Sequence, residues 1–508
     1  MRRPKERKSI PRRYAVAEGD RRPPGTDREE SYEPIVPMKA GNRGVAGPAG
    51  GKGGTNRRTE WRKHGDTQRS TDMSTTLTRI AELAREDKER QFNSIAHLLT
   101  AEALVVAFGQ LKKGASAGVD GVTYAEYEEG LGERILDLHD RLKSGRYRAQ
   151  PLRRVYIPKE GGKTRPISIP SLEDKIVQRA TVDLLNAIYE QDFLWCSYGF
   201  RPGRSAQDAL DEVGRVICTR PISYVLEADI CGYFDSIVRS QLQELIERRV
   251  RDGSILRLIG KWINVGVIED GRLLVTETGT GQGQVVSPLL ANVYLHYVLD
   301  EWFEEVVKPL LKGEAYEVRY ADDFILCFQY REDAERVLEV LPKRFGKYGL
   351  TLHPEKTRLI AFGREALERS EGEGGRKAST FDFLGFTHIC KRSRRGKFTI
   401  HVRTMRKRLR RSLKAISAWC QAHRHDPVEA QAATLNRKLE GHYQYYGRPT
   451  NYRSLLEFYR AVRRTWEKWL NRRTRGKTLT WEDYAELLTH HPLKLPRITR
   501  PWACMPVW

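Results

Sequence analysis

The sequence lacks paired cysteines, long apolar runs and an apolar N-terminal segment. Its seven cysteines are scattered over 508 residues without a C-x-x-C pair, so neither a zinc ribbon nor a secreted disulfide framework is predicted. No apolar run reaches the roughly 18 residues of a membrane span, and the opening MRRPKERKSI does not lead into the apolar stretch of a signal peptide. These absences predict a reduced, cytoplasmic protein with no membrane partner, and the length, at roughly 150 residues per domain, predicts about three domains.

Acidic residues are too few to balance the basic ones. Lys and Arg number 89 against 66 Asp and Glu, a formal net charge of +23. Residues 391–508 hold 28 basic and 8 acidic side chains and residues 1–75 hold 18 and 10, which leaves residues 76–390 slightly acidic. Such clustering is typical of proteins that neutralise phosphates, with solvated helix faces as the plainer alternative. The distribution favours binding to nucleic acid.

Periodicity divides the chain into three parts. Residues 1–75 mix Arg, Pro and Gly without a period, which predicts a disordered basic arm. Helical and strand patterns then alternate to about residue 390, including a hairpin signal over residues 153–170 around Gly161-Gly162. After residue 400 the pattern is almost purely helical. The predicted fold class is α+β with a helical C-terminal part.

Two helices near the C-terminal end have start signals. Asp426 precedes Pro427 and Glu429 as a predicted N-cap, and Ser454 repeats the signature for a helix that ends near Gly476. The second helix is expected to bury one face and to present a basic row on another. The apolar residues are Leu455, Phe458, Val462, Trp466 and Trp469, and the basic ones are Arg460, Arg464 and Lys468.

The string VRYADDFILCF, residues 318–328, places two carboxylates where a tight turn is expected. Apolar residues at strand alternation flank Ala321-Asp322-Asp323, which predicts a hairpin with the acids at its tip. Taken alone, Asp residues in a turn are commonplace.

A third acid lies upstream, in ISYVLEADICGYFDSI. This segment predicts a strand that ends at Asp229, breaks at Gly232 and resumes at Phe234-Asp235. An acid at one strand end and a pair on a hairpin are what two Mg²⁺ ions require, because hard oxygen ligands hold the ions about 3.5–4 Å apart for an in-line phosphoryl displacement. In isolation, Asp229 reads more simply as a turn or cap residue.

Seven blocks, in the same order, resemble the reverse transcriptases encoded by group II introns, the reverse transcriptase/maturase family. The similarity covers roughly residues 76–508 and rests on IPKEGGKTRPISIP, SYGFRPGRSAQDAL, ADICGYFD, GTGQGQVVSPLLANVYLHYVLD, RYADD, GLTLHPEKT and FDFLGF. The resemblance implies an α+β right-hand polymerase followed by a helical maturase/DNA-binding region. The implied divisions are an N-terminal extension and fingers (76–220), palm (221–390), thumb/maturase (391–475) and a basic DNA-binding tail (476–508).

The resemblance also implies the catalytic set. Asp229, Asp322 and Asp323 would bind two Mg²⁺ ions, joined by the backbone carbonyl of Ile230, and Lys356 would protonate the departing pyrophosphate. An ordinary surface lysine is the plainer reading of Lys356.

Four further residues are implied to hold the incoming dNTP. Lys159 and Arg165 would grip the triphosphate through charge-assisted contacts, although Lys159 also reads as a surface lysine. Gln282 would line the pocket, and Phe234 would stand against the sugar 2′ position and exclude a ribose hydroxyl.

The chain departs from the family pattern in one loop. The usual GTPQGG reads here GTGQGQ over residues 279–284, with glycine in place of proline and glutamine in place of glycine. The loop is expected to be more mobile or differently shaped. The cysteine pairs that support the family's C-terminal endonuclease are absent, so endonuclease activity is not expected.

The predicted reaction is RNA-directed DNA synthesis, in which a primer 3′-hydroxyl attacks the α-phosphate of a dNTP. The implied partners are the parent intron RNA, which the protein would bind to assist splicing through Arg460, Arg464 and Lys468, and target DNA, into which the intron would be copied by target-primed retrohoming at the bacterial nucleoid. Three alternatives stay open: a splicing-only maturase, a domesticated relative in defence or DNA repair, and an RNA polymerase, which Phe234 disfavours. The oligomeric state is also open, a dimer included.

Overall fold

The structure is a computed structural model that describes most of the chain from residue 65 onward. Its first helix, α1, spans Gly65–Glu86 and so begins inside the arm predicted as disordered over residues 1–75. No proline or glycine interrupts residues 66–86, and the apolar side chains near the end of α1 pack against the main core. The prediction of disorder is therefore wrong for residues 65–75, while residues 1–64 lie outside the described residues. The described ranges are 65–158, 164–269, 272–274, 278–372, 379–473 and 479–501.

A four-stranded sheet follows the first helices, and it contains the predicted hairpin. Strands β1 (Leu152–Pro158) and β2 (Thr164–Ile169) pair antiparallel, as expected. On its other side, β1 pairs parallel with β4 (Val267–Glu269). Strand β4 then pairs antiparallel with β5 (Arg272–Leu274), the last strand of the sheet.

The central sheet is antiparallel and has the strand order β6-β7-β3-β8. Strand β7 lies between β6 and β3, so residues distant along the chain become direct neighbours. The strands are β3 (Tyr224–Asp229), β6 (Ala315–Tyr320), β7 (Asp323–Phe328) and β8 (Arg358–Ala361).

Strand β7 is buried on both faces. Phe324, Leu326 and Phe328 belong to the main core, whereas Ile325 and Cys327 belong to a second core on the opposite face of the sheet. A strand covered on both sides reads as a continuous apolar run, which is what the string FILCF shows. The central sheet is thus the rigid layer between two cores.

The segment after β3 does not resume as a strand. Gly232 adopts a φ of +54°, and its carbonyl accepts hydrogen bonds from the N–H groups of Asp235 and Ser236 at 2.9 and 3.1 Å. The result is a helical turn, α7, over Tyr233–Ser236. The predicted strand at Phe234-Asp235 is wrong because the left-handed glycine reverses the chain.

The C-terminal part consists of a three-stranded sheet, whose buried residues belong to the second core, and four helices that form a third core. The sheet has the order β11-β10-β9, and Trp466 and Tyr484 are fully buried among the helices. The elements are β9 (Thr380–Phe383), β10 (Phe386–Arg392), β11 (Phe398–Thr404), α13 (Arg406–Ala422), α14 (Val428–Tyr446), α15 (Tyr452–Leu470) and α16 (Trp481–His490).

Both predicted helix starts in this part are displaced. Asp426 does not cap α14, because its carboxylate bonds to Nδ1 of His423 at 2.8 Å and Pro427 takes the N-cap position. Helix α15 starts two residues before Ser454, because buried Asn451 bonds to the backbone N–H of Thr404 at 2.8 Å and fixes where the chain enters the helix.

Helix α15 also ends earlier than predicted. Its last residue is Leu470 rather than one near Gly476, and the side chain of the next residue, Asn471, accepts a hydrogen bond from the backbone N–H of Leu479 at 2.6 Å. Its predicted apolar face is confirmed: Leu455, Phe458, Val462 and Trp466 are buried and Trp469 packs against the same core.

The remaining α-helices pack against the sheets or against one another. Among the described residues, no helix is both long and apolar enough to cross a membrane. These helices are α2 (Ala101–Gln110), α3 (Tyr124–Glu128), α4 (Leu131–Lys143), α5 (Leu172–Asp192), α6 (Ala206–Thr219), α8 (Arg239–Glu247), α9 (Gly253–Asn264), α10 (Ser287–Leu295), α11 (Arg331–Lys347) and α12 (Arg364–Gly372).

Candidate active site

The hairpin of β6 and β7 carries two of the predicted acids. Tyr320 pairs with Asp323, so the turn consists of Ala321 and Asp322 alone. Ala321 has a φ of +57°, a backbone conformation that is costly for a residue with a Cβ and is found mostly at functional sites. The hairpin is confirmed, although Asp323 is the first residue of β7 rather than part of the turn.

The third acid joins this pair through the register of the central sheet. Asp229, the last residue of β3, lies directly opposite Asp323 of β7, and paired residues of antiparallel strands have Cα atoms about 4.5–5.5 Å apart. All three predicted acids therefore meet at one end of the sheet.

The cluster is short of positive charge. Burial raises the pKa of Asp322, and the Asp229 carboxylate adds to the effect. Burial raises the pKa of Asp323 to about 7, with Asp322 and Asp229 as further causes. Carboxylates gathered in this way resist simultaneous ionisation unless a cation joins them.

One cation already contacts the cluster. Lys356 donates from Nζ to Oδ2 of Asp229 at 2.7 Å, and the lysine side chain is 55% exposed. The Lys356 ammonium neutralises the Asp229 carboxylate, as a bound metal cation would. The donor set consists of hard carboxylate oxygens, which suit a divalent ion such as Mg²⁺, so the residues present fit the metal ions that the sequence predicts.

Of the residues predicted to hold the nucleotide that the structure describes, Arg165 is the one that acts directly on the acids. Arg165 donates from Nε to Oε1 of Gln282 at 2.8 Å, and its charge lowers the pKa of Asp322, counteracting part of the rise caused first by burial. Phe234, half-buried on α7, accepts a backbone hydrogen bond from the N–H of Thr280 at 3.0 Å. Ile230 directly follows Asp229, and Lys159 lies outside the described residues.

Arg319 is a buried cation that sequence reasoning did not assign. It is 0% exposed and donates to the carbonyl of Ala321, in the turn, at 3.1 Å. The same guanidinium pairs with Asp300 at 2.6 and 2.5 Å and reaches Asn292 and Ser197 at 3.1 and 2.8 Å. The signal for it was a pair of charged residues at strand alternation, Glu317 and Arg319, in a segment predicted to be a strand.

A second group of potential metal ligands lies next to Arg319. Within the described part of the chain, Cys196, Asp300 and Glu317 lie close enough to hold a metal ion. However, burial raises the pKa of the Cys196 thiol and of Glu317 well above their usual ranges, and Arg319 already neutralises Asp300. The guanidinium therefore supplies the positive charge here.

The predicted RNA-binding row lies on a different surface. Arg460, Arg464 and Lys468 are exposed on α15, on the side opposite its buried face. They are not part of the acidic cluster.

Comparison with known proteins identifies the fold around these acids. A family model described as Reverse transcriptase (RNA-dependent DNA polymerase) matches residues 157–388, which include all three acids. Protein YkfC of Escherichia coli (strain K12) is 33% identical over 367 residues, which cover 63% of this chain and 90% of that protein. The chain belongs to the reverse transcriptase family. It is an RNA-directed DNA polymerase with the right-hand polymerase fold.

Other relatives of this reverse transcriptase are intron proteins. The Group II intron-encoded protein LtrA of Lactococcus lactis subsp. cremoris is 28% identical over 455 residues, 75% of each chain. An uncharacterized 91 kDa protein in the cob intron of Schizosaccharomyces pombe is 34% identical over 247 residues, 47% of this chain and 30% of that protein. These relatives confirm the resemblance to the group II intron reverse transcriptase/maturases.

Proposed function

We propose that this reverse transcriptase is encoded by a group II intron and copies the intron RNA into DNA at its target, using a 3′ end of the target DNA as primer. The observation that carries the proposal is the convergence of Asp229, Asp322 and Asp323 in a chain whose relatives include a group II intron-encoded protein. The activity would be exercised at the bacterial nucleoid, where the target DNA lies.

The acids would hold two Mg²⁺ ions, together with the backbone carbonyl of Ile230. The bound ions would supply charge neutralisation and activation of the primer 3′-hydroxyl. Asp229 and Asp322 are the proposed direct ligands, and Asp323 completes the acidic set. Lys356, whose ammonium is within 2.7 Å of Asp229, would donate a proton to the departing pyrophosphate.

The nucleotide would lie between the loop of residues 279–286 and strand β2. Arg165 and Lys159 would bind the triphosphate, because guanidinium and ammonium groups form charge-assisted hydrogen bonds with phosphate oxygens. Gln282 would line the pocket, and the ring of Phe234 would occupy the space that a ribose 2′-hydroxyl needs. This arrangement favours DNA synthesis over the RNA polymerase alternative.

Target priming is tested with purified protein, intron RNA and a DNA duplex nicked at the insertion site. We expect cDNA that is covalently joined to the 3′ end at the nick, detected by sequencing across the junction. The matched control is the same duplex with a 3′-dideoxy end, which should give no product. cDNA that is made from added oligonucleotides but never from the nick would contradict the intron-mobility proposal and favour a domesticated role.

A second proposed role is to bind the intron RNA and assist its splicing. The exposed row of Arg460, Arg464 and Lys468 supports it, because three cations on one helix face can meet phosphates of folded RNA. The opposite face of α15 is buried, so the row is presented on a rigid element.

Replacing Arg460, Arg464 and Lys468 by Gln together should weaken intron RNA binding. Loss of three phosphate contacts is expected to flatten the dependence of log K on log salt by about two units and to lower affinity roughly 10- to 100-fold near 0.1 M salt. Filter binding across a salt series measures both, and a splicing assay measures the consequence.

The matched control removes three exposed charges from another helix. Arg331, Arg336 and Lys343 of α11 are all exposed, and their replacement by Gln changes the net charge equally. If this control weakens RNA binding as much as the α15 variant does, the effect is one of overall charge and the assignment of the row is wrong.

A further inference from the structure

Two buried glutamines form an amide pair beneath the loop of residues 279–286. Gln178 of α5 is 0% exposed and Gln284 is 3% exposed. Nε2 of Gln178 donates to Oε1 of Gln284 at 2.9 Å. Buried amides are tolerated only when their polar atoms are hydrogen-bonded, so the remaining atoms of this pair require partners.

The backbone around the loop supplies those partners. Nε2 of Gln284 donates to the carbonyls of Thr280 at 2.9 Å and Trp262 at 3.0 Å. Oε1 of Gln178 accepts from the N–H groups of Val285 at 2.8 Å and Val286 at 3.3 Å. The two side chains therefore tie both ends of the loop to helices α5 and α9.

Glycine at position 281 is matched to this pair. Gly281 has a φ of +66°, and a Cβ added there would lie 2.7 Å from Nε2 of Gln284. Proline, with φ near −65°, cannot adopt this conformation. The two departures from the family's usual loop sequence are thus structurally coupled. The hydrogen bonds of the Gln284 amide restrain the loop where a proline otherwise would, and glycine at position 281 leaves space for that amide.

The braced loop carries the residues proposed to contact the nucleotide. The carbonyl of Gln282 accepts from the N–H of Ser168 at 2.7 Å, and its side chain accepts from Arg165. Two residues earlier, Thr280 bonds to the carbonyl of Phe234. Any shift of the loop would therefore move Gln282 and Phe234 relative to the acids.

We propose that Gln178 and Gln284 are positioning residues that set the shape of the dNTP pocket and so determine nucleotide affinity and sugar selection. This inference rests on the proposed roles of Phe234 and Gln282. The pair touches no reacting atom and acts through the loop that it holds.

The test is single-nucleotide incorporation by Gln284→Met, which keeps the side-chain volume and removes the hydrogen bonds. We expect the KM for dNTP to rise about tenfold, kcat at saturating dNTP to stay within about threefold, and the preference for dNTP over rNTP to fall. Gln243→Met is the matched control, because Gln243 lies on α8 and bonds to Glu247 in an exposed contact. It should leave all three quantities unchanged.

A double-mutant cycle separates positioning from general damage. Because the two amides share one hydrogen bond, Gln178→Met combined with Gln284→Met should raise KM by less than the product of the single effects. Thermal unfolding verifies that each variant is folded. If both glutamine variants fail to fold, Gly281→Ala is tested instead, because it brings a Cβ against Gln284. The inference then requires that Gly281→Ala raise the KM for dNTP.

Phe234→Ala distinguishes failure of the inference from failure of the pocket assignment. If this variant accepts rNTPs, the proposed role of Phe234 stands; an unchanged KM and sugar preference in folded Gln284→Met then overturns the inference alone. If Phe234→Ala leaves sugar selection intact, the pocket assignment itself is wrong, and the inference falls with it.

Discussion

Asp322→Asn should abolish primer extension while RNA binding remains at the wild-type level. Asp322 is one of three acids that converge at the end of the central sheet and is a proposed direct ligand of the metal ions. Metal-ion stabilisation of the transition state is worth several kcal/mol, so the loss should reach about 10³-fold or more. The variant should fold as well as the wild type. Burial and the Asp229 carboxylate raise the pKa of Asp322, which means that both disfavour its charged form, and a neutral amide carries no such charge. Extension of a DNA primer on an RNA template, with filter binding of the same RNA, measures the two effects.

An exposed acid close to the site provides the control for this substitution. Asp235 lies on α7, one residue after Phe234, and is exposed. Asp235→Asn changes the local charge by the same amount but should retain nearly full activity. Primer extension by Asp322→Asn at more than about a tenth of the wild-type rate would remove Asp322 from the metal-binding set.

Arg319→Met should cause the largest loss of stability of any substitution considered. It leaves the carboxylate of Asp300, which is fully buried, without its partner, and breaking a buried ion pair in this way costs about 3–5 kcal/mol. The carbonyl of Ala321 loses its donor at the same time. We expect the free energy of unfolding, measured by urea denaturation, to fall by that amount.

Arg319→Lys separates the effect on the turn from the effect on folding. A lysine keeps the charge against Asp300 but cannot reproduce the planar fork that also reaches Ala321, Asn292 and Ser197. A folded Arg319→Lys protein should therefore be slower by about 10²-fold, since a shift of about 1 Å in catalytic geometry is enough for such a loss. Arg331→Met, at an exposed ion pair on α11, should change stability by less than about 1 kcal/mol. Wild-type activity in Arg319→Lys would show that Arg319 stabilises the fold without positioning the turn.

The three acids of the candidate site could be found from the sequence because each lies in a short string whose local pattern places it at a strand end or in a turn. Local sequence patterns could not show that the three acids lie close together, since the pairing of Asp229 with Asp323 depends on the register of two strands separated by about ninety residues. Resemblance to a family supplied what local reasoning could not. The arginine in VRYADD was visible, but only the packed structure shows that its guanidinium reaches the turn.

Local signals failed where distant contacts decide the structure. The cap signatures at Asp426 and Ser454 were sound as patterns, yet His423 and Asn451 determine where those helices begin. Glycine and glutamine at positions 281 and 284 suggested a loop that is either mobile or differently shaped. The second expectation is met, because a φ of +66° at Gly281 excludes the usual proline, and the bracing glutamine on α5 lies about a hundred residues upstream, beyond the reach of any sequence window.

Ion pairs connect Arg448 and Arg500, in the C-terminal part of the chain, to helix α6. Arg500 bonds to Asp208 and Asp211 at 2.5 and 3.0 Å, and Arg448 pairs with Asp211 in a largely buried contact. Just before α6, the backbone of Gly199 approaches the turn that carries Asp322 so closely that a Cβ at position 199 would clash with the backbone nitrogen of Ala321. Helix α6 and the residues just before it thus connect the helices proposed to bind RNA with the turn that carries Asp322. On these assignments, the packing of the protein would fix the distance between the RNA-binding surface and the acidic cluster.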